Sequence, residues 1–243
     1  MSDMWHPCLE QKAMMREEAN STAEQMVMLM LSVSEASTLK PNIRRPYKYF
    51  DLAIVDPPYG IKADKGTGGF GIATARHYTS EWDATIPNAE YFAELMRVSK
   101  NQIIWGGQYM TDHLRSGTKW IVWDKVGEGK FKNPYSKCEL AWTSFDGVVD
   151  KYVCYQMGFV SDDKSDRIHP TQKPVMLYKW LLAKYADEDA KILDTHVGSA
   201  SSLIACYDMG FKYVGFEIDE EYYKLACQRL EEEKAQMRWL LLP

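Results

Sequence analysis

The chain has 243 residues, 46% of them hydrophobic and 26% charged, with a net charge of −5 and a pI of about 5.6. That length suits one large domain with a sizeable core, and the composition points away from disordered and membrane-embedded classes towards a globular one. An acidic average also argues against a nucleic-acid partner, since phosphate binding draws on excess Lys and Arg.

The average conceals an uneven distribution. Acids concentrate in the first residues and in "DEEYYKLACQRLEEEK" near the end, whereas the middle of the chain carries basic clusters, so a local basic face is compatible with the acidic total. The longest apolar run, Met26 to Val33, falls far short of the roughly 18 residues a membrane span needs. The first residues lack the basic start and apolar stretch of a signal peptide, so a cytoplasmic location without a membrane partner is expected. Cys8, Cys138, Cys154, Cys206 and Cys227 are scattered and never form C-x-x-C, which predicts reduced thiols and no metal site.

In chain order, residues 1–45 form a polar, Met-rich extension with one helical stretch over 22–34. The apolar run "DLAIV" then enters "DPPYG". Proline has no N–H and a fixed φ, so Pro57 and Pro58 end the strand and leave Asp56 and Tyr59 at its carboxyl end. In open α/β sheets, ligands bind at such ends. A long Gly-rich loop follows, with the size of a lid or binding segment. Its "GTGGFG" fits G-x-G-x-x-G letter for letter, but it follows no strand and opens no helix, so it reads as flexibility and not as a dinucleotide site. His77 in the same loop reads as solvated.

"NAEYFAELMRVS" has helical spacing of apolar residues, and "NQIIW", "KWIVWD", "CELAWTS" and "GVVDKYV" read as strands. Trp105, Trp120, Trp123 and Trp142 on those runs are expected in the core. The last third alternates: a helix over "TQKPVMLYKWLLAKYA", a strand "KILD", a helix "SSLIACYDMG" closed by Gly210, a strand "KYVGFEI", and a helix capped by Asp219. That rhythm predicts right-handed βαβ units and a parallel sheet.

Two strand ends carry chemistry. "THVGSAS", Thr195 to Ser201, places small residues at a strand-to-helix crossing, where helix N–H groups can meet an electron-rich ligand. Glu217 ends the next strand in the position of a ribose-binding acid. At the other end, the Asp56 carboxylate and the Pro57 carbonyl supply two acceptors for one –NH₂ group, and Tyr59 supplies a ring that can stack on a nucleobase. His169, ahead of a proline in a turn, reads as structural before it reads as a general base.

"DPPY", "IIWGGQY", "RIHPTQKP" and "ILDTHVGSAS…GFEID", in that order over roughly residues 48–230, resemble the amino-methyltransferases of DNA in their circularly permuted β class, catalytic half first. The resemblance implies a Rossmann-like S-adenosylmethionine-dependent methyltransferase fold: a mixed, mostly parallel sheet with helices on both faces and a small recognition insert. It divides the chain into the 1–45 extension and a 46–243 methyltransferase domain, with a catalytic half (46–123), a candidate target-recognition insert (124–167) and a cofactor-binding half (168–243). It implies S-adenosylmethionine as donor and N6 of an adenine flipped out of DNA as acceptor.

Residue by residue, the resemblance makes Asp56, Pro57, Pro58 and Tyr59 the catalytic tetrad, with Asp56 also beside the donor. Asp194, His196, Gly198, Ser199 and Ala200 correspond to the donor-binding loop, Glu217 to the ribose-binding acid, and Lys173 within His169 to Pro174 to the segment closing over the cofactor. Two departures stand out. The usual F-x-G-x-G is here "HVGSA", with Ala200 in place of the last glycine, and residues 30–50 hold no counterpart of the element beside the donor's adenine. Lys62, Lys65, Arg76, Lys125, Lys130, Lys132 and Lys137 are the candidates for DNA phosphate contact, with a solvated surface as the alternative. A second copy of the chain and a cognate restriction endonuclease are candidate partners. Alternative readings are methylation of cytosine N4 or of RNA, and a non-catalytic nucleic-acid-binding relic of the fold.

Overall fold

The computed structural model describes residues 47–61, 83, 85–128, 136–157, 160–161, 168–169 and 171–240. Expectations for the N-terminal extension, for Lys62, Lys65, Arg76 and His77 in the Gly-rich loop, and for Lys130 and Lys132 lie outside those residues.

A seven-stranded sheet organises the chain, in the order β5-β3-β4-β2-β1-β8-β9. Its strands are β1 (Phe50–Val55), β2 (Ser99–Trp105), β3 (Trp120–Asp124), β4 (Cys138–Thr143), β5 (Asp150–Val153), β8 (Lys191–Asp194) and β9 (Lys212–Gly215); β6 (Gln156–Met157) and β7 (Val160–Ser161) pair separately. β1 runs parallel to both β2 and β8, and β8 parallel to β9, while β4 is antiparallel to β2 and β3. The helices are α1 (Ala89–Val98), α2 (Val175–Tyr185), α3 (Ser201–Asp208) and α4 (Glu220–Leu240).

β1 reads as a continuous apolar run because both of its faces are covered. Leu52 and Ile54 join α2 and α3 through Leu177, Leu181 and Ile204 on one face. Ala53 and Val55 join α1 through Phe92 and Leu95 on the other. Alternation along the strand therefore feeds two cores at once. Trp105, Trp123 and Trp142 are buried within these cores and Trp120 packs against one of them, as expected.

The chain leaves β1 for β2 on one side and later returns to β8 on the other. The β1/β8 boundary is thus a topological switch point, where the carboxyl ends of neighbouring strands part and leave a crevice. Asp56 follows β1 there, and Asp194 ends β8.

Three boundaries differ from the sequence reading. α2 begins at Val175, four positions after Thr171: Lys173 precedes a proline and is steered away from helical geometry, and Pro174 is itself extended with ψ 140°. β5 begins at Asp150, leaving Val148 and Val149 exposed. β9 stops at Gly215, because Phe216 exchanges its backbone bonds with the β8 turn, donating to the Asp194 carbonyl and accepting from the Val197 N–H. Within the segment assigned to target recognition, residues 138–143 and 150–153 are β4 and β5 of the main sheet.

β2 is followed by Gly106, whose φ of +68° lies in the left-handed region and whose missing side chain makes room for Tyr59. A Cβ there would sit 2.2 Å from Tyr59 Cε1. Gly106→Ala is therefore expected to lower stability by about 2–5 kcal/mol, strain and overpacking combined. Urea unfolding of the variant measures that loss.

Candidate active site

The turn after β1 is braced from behind. The backbone N–H groups of Tyr59 and Gly60 both donate to Asp83 Oδ1, at 2.6 and 3.0 Å, and Asp83 is almost wholly buried. Two charge-assisted bonds to one oxygen fix the turn that the prolines have already stiffened. The Tyr59 hydroxyl turns back and donates to Asp56 Oδ1 at 2.7 Å. Its ring stacks on Tyr109, with centroids 5.3 Å apart and planes 24° apart.

Asp56 Oδ2 accepts from Lys173 Nζ, delivered by the extended stretch that precedes α2. The same ammonium lies 3.2 Å from Glu139 Oε2 on β4, while Glu139 Oε1 pairs with Lys125. Burial raises the Asp56 carboxyl above its ordinary range against the opposing pull of Lys173. The Lys173 ammonium is held up by the two carboxylates despite its own burial. Glu139 is held low, its two lysines outweighing the desolvation that would raise it.

Across the crevice, Asp194 props up the β8 loop. Its Oδ1 accepts the His196 N–H at 2.9 Å and its Oδ2 the Ser202 hydroxyl. Desolvation pushes Asp194 up to about 7 and the His196 imidazole down to about 3, so that ring is neutral at physiological pH. His196 Nδ1 lies 3.0 Å from Thr195 Oγ1, and Tyr91 edges its ring. Gly198 and Ala200 both adopt positive φ, +52° and +63°, so the loop turns its backbone inward before α3. Ala200 takes the left-handed conformation with a side chain that disfavours it, which explains why glycine suits that position better. Glu217 accepts the Gly198 N–H at 2.7 Å and the Asp219 N–H at 2.9 Å, and burial raises its carboxyl. Asp219 Oδ1 caps α4 by accepting from Glu221 and Tyr222.

Asp194 and Glu217 have no lysine or arginine in ion-pair range among the described residues. Two buried carboxyls raised by desolvation and without a protein cation would be drawn into their charged form by a ligand carrying a sulfonium and an ammonium. Each oxygen of Glu217 retains a lone pair for a hydroxyl. The donor set therefore fits S-adenosylmethionine.

A profile described as DNA methylase matches residues 130–228, a stretch that excludes the β1 turn. "Putative methylase YubD" of Escherichia coli K12 is 34% identical over 198 residues, covering 76% of this chain and 83% of that one. "Type II methyltransferase M.HpaI" of Haemophilus parainfluenzae is 34% identical over 224 residues, covering 75% and 68%. The chain belongs to the DNA methylase family. A solved structure titled "M1.HpyAVI-SAM complex" aligns with 75% of this chain and 89% of its own at 18% identity and a TM-score of 0.46.

The expectation of a DNA methyltransferase that uses S-adenosylmethionine is borne out at the level of the family. Within this methylase the fold brings Asp56, Pro57, Pro58, Tyr59 and Lys173 to one side of the crevice, and Asp194, His196, Gly198, Ser199, Ala200 and Glu217 to the other. Ser199 is buried, 3.1 Å from Ser201 Oγ. His169 packs edge-on against Tyr222, and its Nδ1 faces the Thr171 hydroxyl at 3.0 Å, in keeping with a structural role. Of the basic candidates, Lys125 is committed to Glu139 and to the face of Trp123, and Lys137 is exposed. Sequence reasoning missed Asp83, Glu139 and Tyr109; only Tyr109 left a signal, an aromatic two positions beyond the glycine pair that follows β2.

Asp194 carries a pH signature. Its pKa is raised from 3.8 to about 7 in the fold, so the unfolded chain releases this proton first and the folded state loses stability as pH rises between those values. Asp194→Asn removes the loss. Its stability relative to the unsubstituted chain is expected to grow by on the order of 1 kcal/mol per pH unit across that window, read from denaturant midpoints at a series of pH values.

Proposed function

We propose that this methylase transfers a methyl group to N6 of an adenine flipped out of duplex DNA. The observation that carries the reading is the juxtaposition, across the β1/β8 switch point, of the Asp56 carboxylate in its rigid turn with the buried, cation-free carboxylates Asp194 and Glu217. When bound, S-adenosylmethionine supplies a methyl made electrophilic by its sulfonium. Glu217 would hold the ribose hydroxyls, the inward-turned backbone at Gly198 and Ala200 the methionine end, and Asp194 the shape of that loop.

On the acceptor side, Asp56 and the Pro57 carbonyl hold the two protons of the target amine, which draws its lone pair out of conjugation and aims it. An exocyclic amine becomes acidic only after methylation, so no strong base is required, and catalysis is positioning plus electrostatic stabilisation. A leading Asp in the tetrad favours adenine N6 over cytosine N4. Tyr109 is 45% exposed and lies against Tyr59; it holds the place where a flipped base would stack, and yields it when DNA binds. Of the described basic candidates Lys137 is the exposed one open to a phosphate, Lys125 being engaged with Glu139. Recognition of a target sequence falls to the connections of the 124–167 segment, with a second subunit contributing. A cognate endonuclease would be served by protection of the same target.

The test is transfer of label from S-adenosylmethionine to unmethylated duplex DNA, followed by digestion to nucleosides. N6-methyldeoxyadenosine is expected from the unsubstituted chain and a fall of at least about 100-fold from Asp56→Ala. Label on N4 of deoxycytidine would reassign the acceptor, and transfer undiminished in Asp56→Ala would remove Asp56 from the mechanism.

A further inference from the structure

Glu139 enters the site from β4, opposite Trp123 of β3. Its two oxygens are treated differently. Oε1 pairs with Lys125, at the outer side of the cluster. Oε2 is fully enclosed, 3.2 Å from Lys173 Nζ, yet makes no hydrogen bond of proper geometry. A buried carboxylate oxygen with an unused lone pair is costly, and such atoms are few in folded proteins.

The neighbouring carboxylate has the opposite problem. Both oxygens of Asp56 are engaged, Oδ1 by the Tyr59 hydroxyl and Oδ2 by Lys173. In the reaction proposed above, on which this inference rests, a target amine must donate to Asp56 through an oxygen that already accepts from Tyr59 or Lys173, and sharing that oxygen weakens the hold of Lys173. An ammonium buried among Asp56, Tyr59, Trp105 and Glu139 cannot withdraw to water, and it needs another acceptor within reach. Glu139 Oε2 is that acceptor.

We propose that Glu139 is a positioning residue for methyl transfer, receiving the Lys173 ammonium as the target amine takes its place on Asp56. No proton or bond passes to Glu139. The lysine shifts its principal partner from one carboxylate to the other while remaining charged, so the amine meets an ionised Asp56 without a second cation being stripped bare in the interior. Lys173, with Lys125 on the outer side, holds the Glu139 carboxyl low against its burial. The groups facing Asp56 are Lys173, Glu139, Tyr59, Tyr178 and Asp194; those facing Glu139 are Lys125, Lys173, Asp56, Tyr59 and Tyr178.

The experiment uses the full chain, a methyl-accepting DNA duplex and labelled S-adenosylmethionine, with steady-state rates over a pH series. Glu139→Gln is expected to lower kcat about 10- to 100-fold while KM for DNA and donor stays within about threefold. Its acid limb is expected to move to lower pH, because Asp56 loses a nearby like charge and keeps the whole of Lys173. A residue that merely fills space would leave that limb where it was. Glu139→Asp keeps the charge but draws it back by one methylene, so it is expected to restore the acid limb and part of the rate. An unchanged kcat in either variant, or a Glu139→Gln acid limb coinciding with that of the unsubstituted chain, overturns the proposal, and Glu139→Asp decides it if Glu139→Gln does not fold. If the unsubstituted chain methylates no DNA, the reading under Proposed function falls and takes this inference with it. If that chain is active and both variants match it, this inference fails alone.

Discussion

The ammonium of Lys173, buried between the carboxylates of Asp56 and Glu139, is the contact on which the site depends. It joins three segments far apart in the chain: the turn after β1, the start of β4, and the extended stretch before α2. Charges of this kind are expensive to desolvate, and an interior ion pair often contributes little net stability. Removing one member is another matter, because it strands its partner without water or counter-charge. The cluster therefore acts as a registration device. If Lys173 lies elsewhere, Asp56 is an uncompensated buried acid and the β1 turn loses its electrostatic partner.

The same logic explains the other side of the crevice. Asp194 and Glu217 are spent on backbone and hydroxyl donors of the β8 loop, which shapes that loop but does not neutralise it. Their carboxyls are raised by burial, and no protein cation within the described residues relieves them. A cationic ligand at the switch point would supply the missing counter-charge and favour their ionised form. The two strand ends thus differ in their charge pairing: at β1 an acid is matched with its own lysine, whereas at β8 the acids have no cation among the described residues.

Much of this was legible in the chain itself. Strand β1 and its proline stop, the small-residue loop after β8, the cap at Asp219 and the left-handed Gly210 follow from local rules, since each depends on neighbours in sequence. What escaped notice depends on tertiary pairing. Glu139 looks like an ordinary polar residue on a strand, and nothing nearby in sequence says that β4 will lie against β2 and face Lys173. Asp83 is one acid in a polar connection, and its role exists only once the β1 turn folds over it. The start of α2 was misplaced for a local reason: Thr171 looks like a cap, but the proline that follows Lys173 keeps that residue extended, and the extension is what carries Lys173 into the site.

The central claim is that the Lys173 ammonium opposes the burial that raises the Asp56 carboxyl, and leaves a carboxylate there. Difference infrared spectroscopy of the unsubstituted chain against Asp56→Asn, at neutral pH and without ligands, tests it most directly. The account expects the substitution to remove an ionised carboxylate band and leave the protonated-acid region unchanged. Loss of a protonated-acid band instead would show Asp56 neutral beside Lys173, and would contradict the account at its root.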